Sequence, residues 1–360
     1  MKNEEKLLLI NEIQKRMSQQ KIKDSNFIEK YGHVRKIVHC NTEDYKCIAV
    51  GKTFLWDKQW KTFPDFLIDY LKIVLGKEWW ELNISKNETE QHPIIDWCRK
   101  MVKFQNMQKI NSNGLYEAEL NGAMKSYLLL TYDLYTIAHN FELQNKVINR
   151  LKDKKQFQGA LFELFVASIF IRAGFKINYS DESDRTTKHP EFIAEISETG
   201  QLLAIEAKSR HRKGLLGQQG VTKKNNLGIT QLINRASQKA SNLPFIIFID
   251  LNLPKNRKHP HCNYKQLVSE YKKSYENNSI KNKSNFIFFT DHHPCSKNDY
   301  SAALNFNDPI IAVSTKPNFE IKENDLVLSK IKKSISQFGN IPNDFSEMDF
   351  DNIINIRKDV

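Results

Sequence analysis

The sequence predicts an α/β fold: a core of helix, three strands, helix and strand, behind a mainly helical N-terminal half. Three observations predict it. First, a strongly apolar helical run, 157–173, stops at Gly174, a natural residue for a helix C-terminus. Second, three short stretches at 176–179, 191–196 and 202–208 are strand-like, and the turn Ser197-Glu198-Thr199-Gly200 joins the last two as a hairpin. Third, a helical stretch at about 229–241 leads into the apolar run 245–251, with further strands expected at 286–290 and 310–314. The order assigns residues 1–151 to a helical N-terminal domain, 152–320 to the α/β domain and 321–360 to a helical C-terminal tail.

The N-terminal half is justified element by element. Residues 2–19 form a polar amphipathic helix, and 34–49 with 51–56 a pair of strands or a hairpin. Thr62-Phe63-Pro64-Asp65 opens the next helix with a Thr cap, an early Pro and an acidic first turn. Phe66, Leu67, Tyr70, Leu71, Val74 and Leu75 then recur at helical spacing until Gly76. Longer helices are expected over 117–139 and 141–151. All five tryptophans (Trp56, Trp60, Trp79, Trp80, Trp97) lie in this half. Clustered aromatics usually pack, so a helical core is expected rather than a platform for stacking bases.

Composition narrows the function. With 360 residues, 40% apolar, and 22 Phe, the chain can bury sizeable cores. Its longest apolar runs fall far short of the ~20 residues that span a bilayer, and its start lacks the pattern of a signal peptide. A cytoplasmic protein with no membrane partner is expected. Five cysteines without a C-x-x-C pair argue against a disulfide framework or a zinc ribbon. His259, His261, Cys262, His292, His293 and Cys295 match no closed zinc spacing. The net charge is +12, and residues 201–240 hold eight basic residues against one acid, Glu206. Polyanions are the partners such a block attracts.

The acid in that block is the informative one. In Glu206-Ala207-Lys208, side chains alternate, so Glu206 and Lys208 share one strand face while Ile205 and Ala207 pack on the other. Pro190-Glu191-Phe192 puts a second carboxylate at the mouth of the preceding strand. Two carboxylates on neighbouring strands with a lysine beside them suit a hard cation and a phosphate. Glu195 lies about 13 Å along the strand from Glu191, at ~3.3 Å per residue, too far to share a metal. Glu163 sits in the apolar helix, where an unpaired carboxylate is expensive. It needs either a metal site or a buried Arg; the order of the other carboxylates favours the metal.

These residues are where the sequence resembles a known family. The stretch from Phe157 to Lys208 is similar to the core of the PD-(D/E)XK, or restriction-endonuclease-like, nucleases: a helix acid, then PD, then (D/E)xK on a hairpin. The resemblance implies a restriction-endonuclease-like α/β core. It gives catalytic roles to Glu163, Glu191, Glu206 and Lys208, with Glu163, Glu191 and Glu206 as ligands of Mg²⁺ or Mn²⁺. Glu191 departs from the family's usual Asp. Gln231, on the following helix, suits the Gln that some members place there, whereas Arg235 stands where recombination-type exonucleases carry Tyr. The implied activity is metal-dependent phosphodiester hydrolysis, with DNA favoured over RNA, in restriction, anti-phage defence or mobile-element biology. Arg210, Arg212, Lys213, Lys223, Lys224 and Arg235 are expected to contact nucleic acid. A non-cleaving nucleic-acid-binding or scaffolding subunit is the alternative, and a protein partner or a homo-oligomer is compatible with either.

Overall fold

The computed structural model describes residues 3–42, 44–107, 122–179, 189–211, 216, 227–252, 260–291, 309–314 and 317–345. The chain begins with α1 (Asn3–Tyr31), which runs well past the expected residue 19. Buried Phe27 and Tyr31 anchor its last turns, and Gly32 ends it at φ +81°. A Cβ on Gly32 would meet the Arg172 carbonyl at 2.5 Å, so only glycine fits this turn. Three strands follow where a pair was expected: β1 (Val38–Asn41), β2 (Lys46–Val50) and β3 (Thr53–Asp57) form an antiparallel meander.

The helices of this half are α2 (Phe63–Leu75), α3 (Lys77–Ile84), α4 (Pro93–Gln105), α5 (Gly122–Asn140) and α6 (Asn145–Lys152). Thr62 caps α2 in a full capping box: its hydroxyl accepts from Asp65 N–H, and the Asp65 carboxylate accepts from Thr62 N–H at 2.8 Å. Trp60, Trp80 and Trp97 are buried as expected and Trp79 is half-buried, but Trp56 is 60% exposed beside exposed Phe54 on β3.

The α/β part opens with α7 (Phe157–Arg172). Phe175 N–H bonds Phe170 C=O and Gly174 N–H bonds Ile171 C=O, with Gly174 at φ +88°. This paired closure satisfies carbonyls that a helix end leaves open. Then come β4 (Lys176–Tyr179), β5 (Phe192–Glu195), β6 (Leu202–Ser209), α8 (Ile229–Ser237), β7 (Phe245–Asp250), α9 (Pro260–Glu276), β8 (Phe286–Thr290), β9 (Ile310–Val313) and α10 (Asn324–Gln337). The six strands form one mixed sheet in sequential order, β4 to β9. β4, β5 and β6 are antiparallel neighbours, β6, β7 and β8 run parallel, and β9 is antiparallel at the far edge.

Alternation sorts the sheet into two buried faces. Leu203, Ile205, Ala207, Ile246 and Phe248 join the core of α7; Ala204, Ile247, Ile249 and Ile287 join Ile229 and Ile233 of α8 and Leu267 of α9. α7 is apolar all round because it is covered all round: α5, α6 and α10 pack on it as well as the sheet. A single buried cluster therefore runs from Phe27 and Phe63 through Phe165 to Phe248 and Ile335. α10 is docked, since Ser334 Oγ donates to Ile169 C=O and Gln337 Nε2 donates to Ile28 C=O. No helix among the described residues is long and apolar enough to cross a membrane. Of the cysteines described, Cys47 is buried, Cys98 half-buried and Cys40 exposed, all as free thiols.

Candidate active site

β5 and β6 begin to part at Glu191, whose N–H bonds Ile205 C=O at 3.0 Å. The register pairs Phe192 with Ile205, so one step further Glu191 stands opposite Glu206 on the same face. Like charges directly opposed across a strand pair repel, and two ammonium groups answer them. Lys208 lies against Glu206 and 3.5 Å from Glu191; Lys239, in the turn after α8, lies 3.0 Å from Glu191 and 3.1 Å from Glu206. β6 is a central strand, and the Glu206 side chain is fully buried. Neither of its oxygens accepts a well-directed hydrogen bond, although both ammonium groups are at ion-pair distance.

The electrostatics follow from this placement. Burial, and then the charge of Glu191, push Glu206 up to about 7 against the pull of the two lysines. Burial works against ionised Glu191 too, but Lys208 and Lys239 outweigh it and hold its carboxyl below the usual range. Burial would lower Lys239, yet Glu191 and Glu206 raise it. The cluster therefore separates two neighbouring carboxyls in acidity, a pattern found at functional sites.

Glu163, on α7, lines the cleft that Lys208 also borders. Arg150 of α6 grips it with both guanidinium nitrogens, at 2.5 and 2.6 Å. Burial and the Glu191 charge push Glu163 up to about 7, with Arg150 opposing. Both of its oxygens are engaged by Arg150, so the buried-Arg partner weighed from the sequence is present. Glu195 pairs with Lys176 at 3.2 Å across the edge of the sheet, away from the cluster.

Beyond Lys208 a cleft of about 510 Å³ opens at the carboxyl end of β6, the end of the strand at which α/β sheets commonly bind ligands. Arg150, Glu163, Lys208, Arg210, His211, Gln231 and Arg235 line it. Four permanent or lysine cations thus face the opening with one carboxylate among them. Burial, and then Arg150, lower the pKa of His211, so it adds no charge near neutral pH. Of the residues expected from the sequence, Glu191, Glu206 and Lys208 come together, and Glu163, Arg210, Gln231 and Arg235 share the cleft. Arg212, Lys213, Lys223 and Lys224 lie outside the described residues, as do His259, His292, His293, Cys295 and the side chains of His261 and Cys262.

Two residues escaped the sequence reading. Lys239 could have been found: Gln231, Arg235 and Lys239 are spaced i, i+4, i+8 on one helical stripe. Arg150 carried no comparable signal, because its pairing with Glu163 depends on how α6 packs on α7.

The residues partly suit a divalent cation. Glu191 and Glu206 are opposed carboxylates, and the buried Glu206 oxygens lack directed donors, which fits a two-carboxylate Mg²⁺ site. Glu163 does not fit as a third ligand while Arg150 holds both its oxygens, and among the described residues no three His, Cys, Asp or Glu groups are arranged to hold a metal. Comparison with family models, curated proteins and solved structures finds no match to this chain.

Proposed function

We propose that this chain is a metal-dependent nuclease of the PD-(D/E)XK type, cutting DNA in preference to RNA. The observation that carries the reading is the opposition of Glu191 and Glu206 on the β5–β6 hairpin, with Lys208 on the same face at the mouth of a cationic cleft. The element order of helix, three antiparallel strands, crossover helix and parallel strand supports it, being the order of a restriction-endonuclease-like core.

In this reading Glu191 and Glu206 would hold Mg²⁺ or Mn²⁺, which would supply Lewis-acid charge for phosphodiester hydrolysis. Lys208 projects beside the carboxylates, where its ammonium stabilises charge developing on the attacked phosphate. Arg210 and Arg235 grip flanking phosphates, contacts that position a nucleic acid without reading its sequence. Gln231, on the cleft wall, orients the reacting group through its amide. Glu163 acts through Arg150, fixing that guanidinium at the cleft edge.

A second reading, a nucleic-acid-binding subunit that does not cleave, is favoured by one observation: the three carboxylates are neutralised by Arg150, Lys208 and Lys239 rather than gathered around one point. A cleavage assay separates the two. Purified protein is incubated with supercoiled plasmid, linear duplex and RNA in Mg²⁺, Mn²⁺ or EDTA. Cutting that requires the metal and disappears in Glu206→Ala and Lys208→Ala, both still folded, supports the nuclease. Undiminished activity in EDTA or in Glu206→Ala refutes it.

A further inference from the structure

Lys239 bridges Glu191 and Glu206 from the turn that follows α8. Its backbone N–H bonds Ala236 C=O at 2.9 Å, so the residue is anchored at its main chain while its long side chain reaches across to β5 and β6. The two carboxylates it touches are the pair assigned to the metal, and its contacts are on the Oε1 atoms of both. An ammonium group there neutralises two opposed carboxylates that would otherwise repel. It donates a hydrogen bond to Glu191 Oε1 at 3.0 Å and stands at ion-pair distance, 3.1 Å, from Glu206 Oε1, so it occupies the space between the two carboxylates. Lys239 lies beyond the last residue of α8, in the turn that follows it, whereas Lys208 is carried by β6 itself, beside Glu206.

We infer that Lys239 is a displaceable counter-ion: it holds Glu191 and Glu206 together in the metal-free chain and leaves when a divalent cation binds them. The inference rests on the metal-site reading above and makes Lys239 a positioning residue for it. A divalent cation held by both carboxylates would lie a few ångström from the Lys239 ammonium, which touches the same Oε1 atoms, and like charges that close in a buried site repel. Lys208, held to β6 beside Glu206, is the lysine that stays. A lysine is suited to the exchange: its charge is a compact point on a flexible stem, with no fixed fork to lock it in place.

The test uses the full chain and Mn²⁺ as the probe. Mn²⁺ affinity is measured by calorimetry for wild type and Lys239→Gln, with circular dichroism checking the fold of each. Lys239→Gln is expected to bind Mn²⁺ about tenfold or more tightly than wild type, the scale set by one elementary charge held a few ångström away. In parallel, acetylation of individual lysines in the wild type is followed by mass spectrometry with and without Mn²⁺. Lys239 is expected to react faster once Mn²⁺ is bound. If wild type binds Mn²⁺ and the variant binds it no more tightly, the counter-ion role is overturned while the metal site stands. Unchanged Lys239 acetylation with Mn²⁺ bound overturns it equally, and decides the matter if the variant fails to fold. If neither protein binds Mn²⁺, the metal-site reading falls together with the inference.

Discussion

Replacing Glu206 by Gln should make the metal-free protein more stable at pH 8. The ordinary carboxyl value of 4.5 is pushed up to about 7 in the folded chain, chiefly by burial and then by Glu191. Folding therefore favours the protonated form. Below pH 4.5 the carboxyl is neutral in both folded and unfolded chains and contributes nothing. Between 4.5 and about 7 the folded chain binds more protons, so stability falls as pH rises. Above that window the full cost remains, about 3 kcal/mol at ~1.4 kcal/mol per tenfold change in proton affinity. Glutamine is the neutral, near-isosteric stand-in and never bears that cost. Urea unfolding of wild type and Glu206→Gln without metal, at pH 5 and pH 8, measures it. The variant should lead by just under ~1 kcal/mol at pH 5 and by about 3 kcal/mol at pH 8. A variant that is less stable at pH 8 by a similar amount would refute the reasoning, because the ion pairs with Lys208 and Lys239 would then outweigh burial.

Three other outcomes are expected. Arg172→Met should destabilise the protein by about 3–5 kcal/mol, because it strands Asp133, its fully buried partner at 3.4 Å, and urea melts should show a smaller loss at pH 6 than at pH 8 as Asp133 takes up a proton. Thr62→Ala removes one half of the capping box on α2 and should cost about 1 kcal/mol in thermal or urea unfolding. Arg235→Ala should weaken duplex DNA binding and lower the slope of log affinity against log salt by about one, measured by fluorescence anisotropy over a salt series.

What the sequence made legible was what local physics decides. The apolar stretch ending at Gly174, the turn before Gly200 and the Thr62 helix cap each follow from neighbouring residues, and each appears where expected. The alternation of Glu206 and Lys208 fixed which side chains share a face before any pairing was known. Element ends were less legible. α1 continues to Tyr31 because Phe27 and Tyr31 dock into a core made by distant residues, which no local pattern announces. Trp56 points outward for a similar reason: the meander buries Ile48 and Val50 and leaves Phe54 and Trp56 on its outer face. At the site, the hairpin partners were legible because register follows from the turn, whereas Arg150 and Lys239 reach their partners only through helix packing.

Arg150 also ties the helical half to the candidate site. α6 ends that half and packs on α7, the helix that carries Glu163. Its guanidinium is bound to Glu163, and its charge acts on Glu191 as well. Arg150 offsets part of the cost of burying the Glu163 carboxylate among apolar groups. The same α7 that turns one flank to the sheet turns another to α5, within one buried core. The position of Arg150 at the cleft thus depends on the packing of α5, α6 and α7 together, and a substitution in the helical core that shifts α6 acts on the candidate site through Arg150 and Glu163. The helical half is therefore a mount for the cleft's edge.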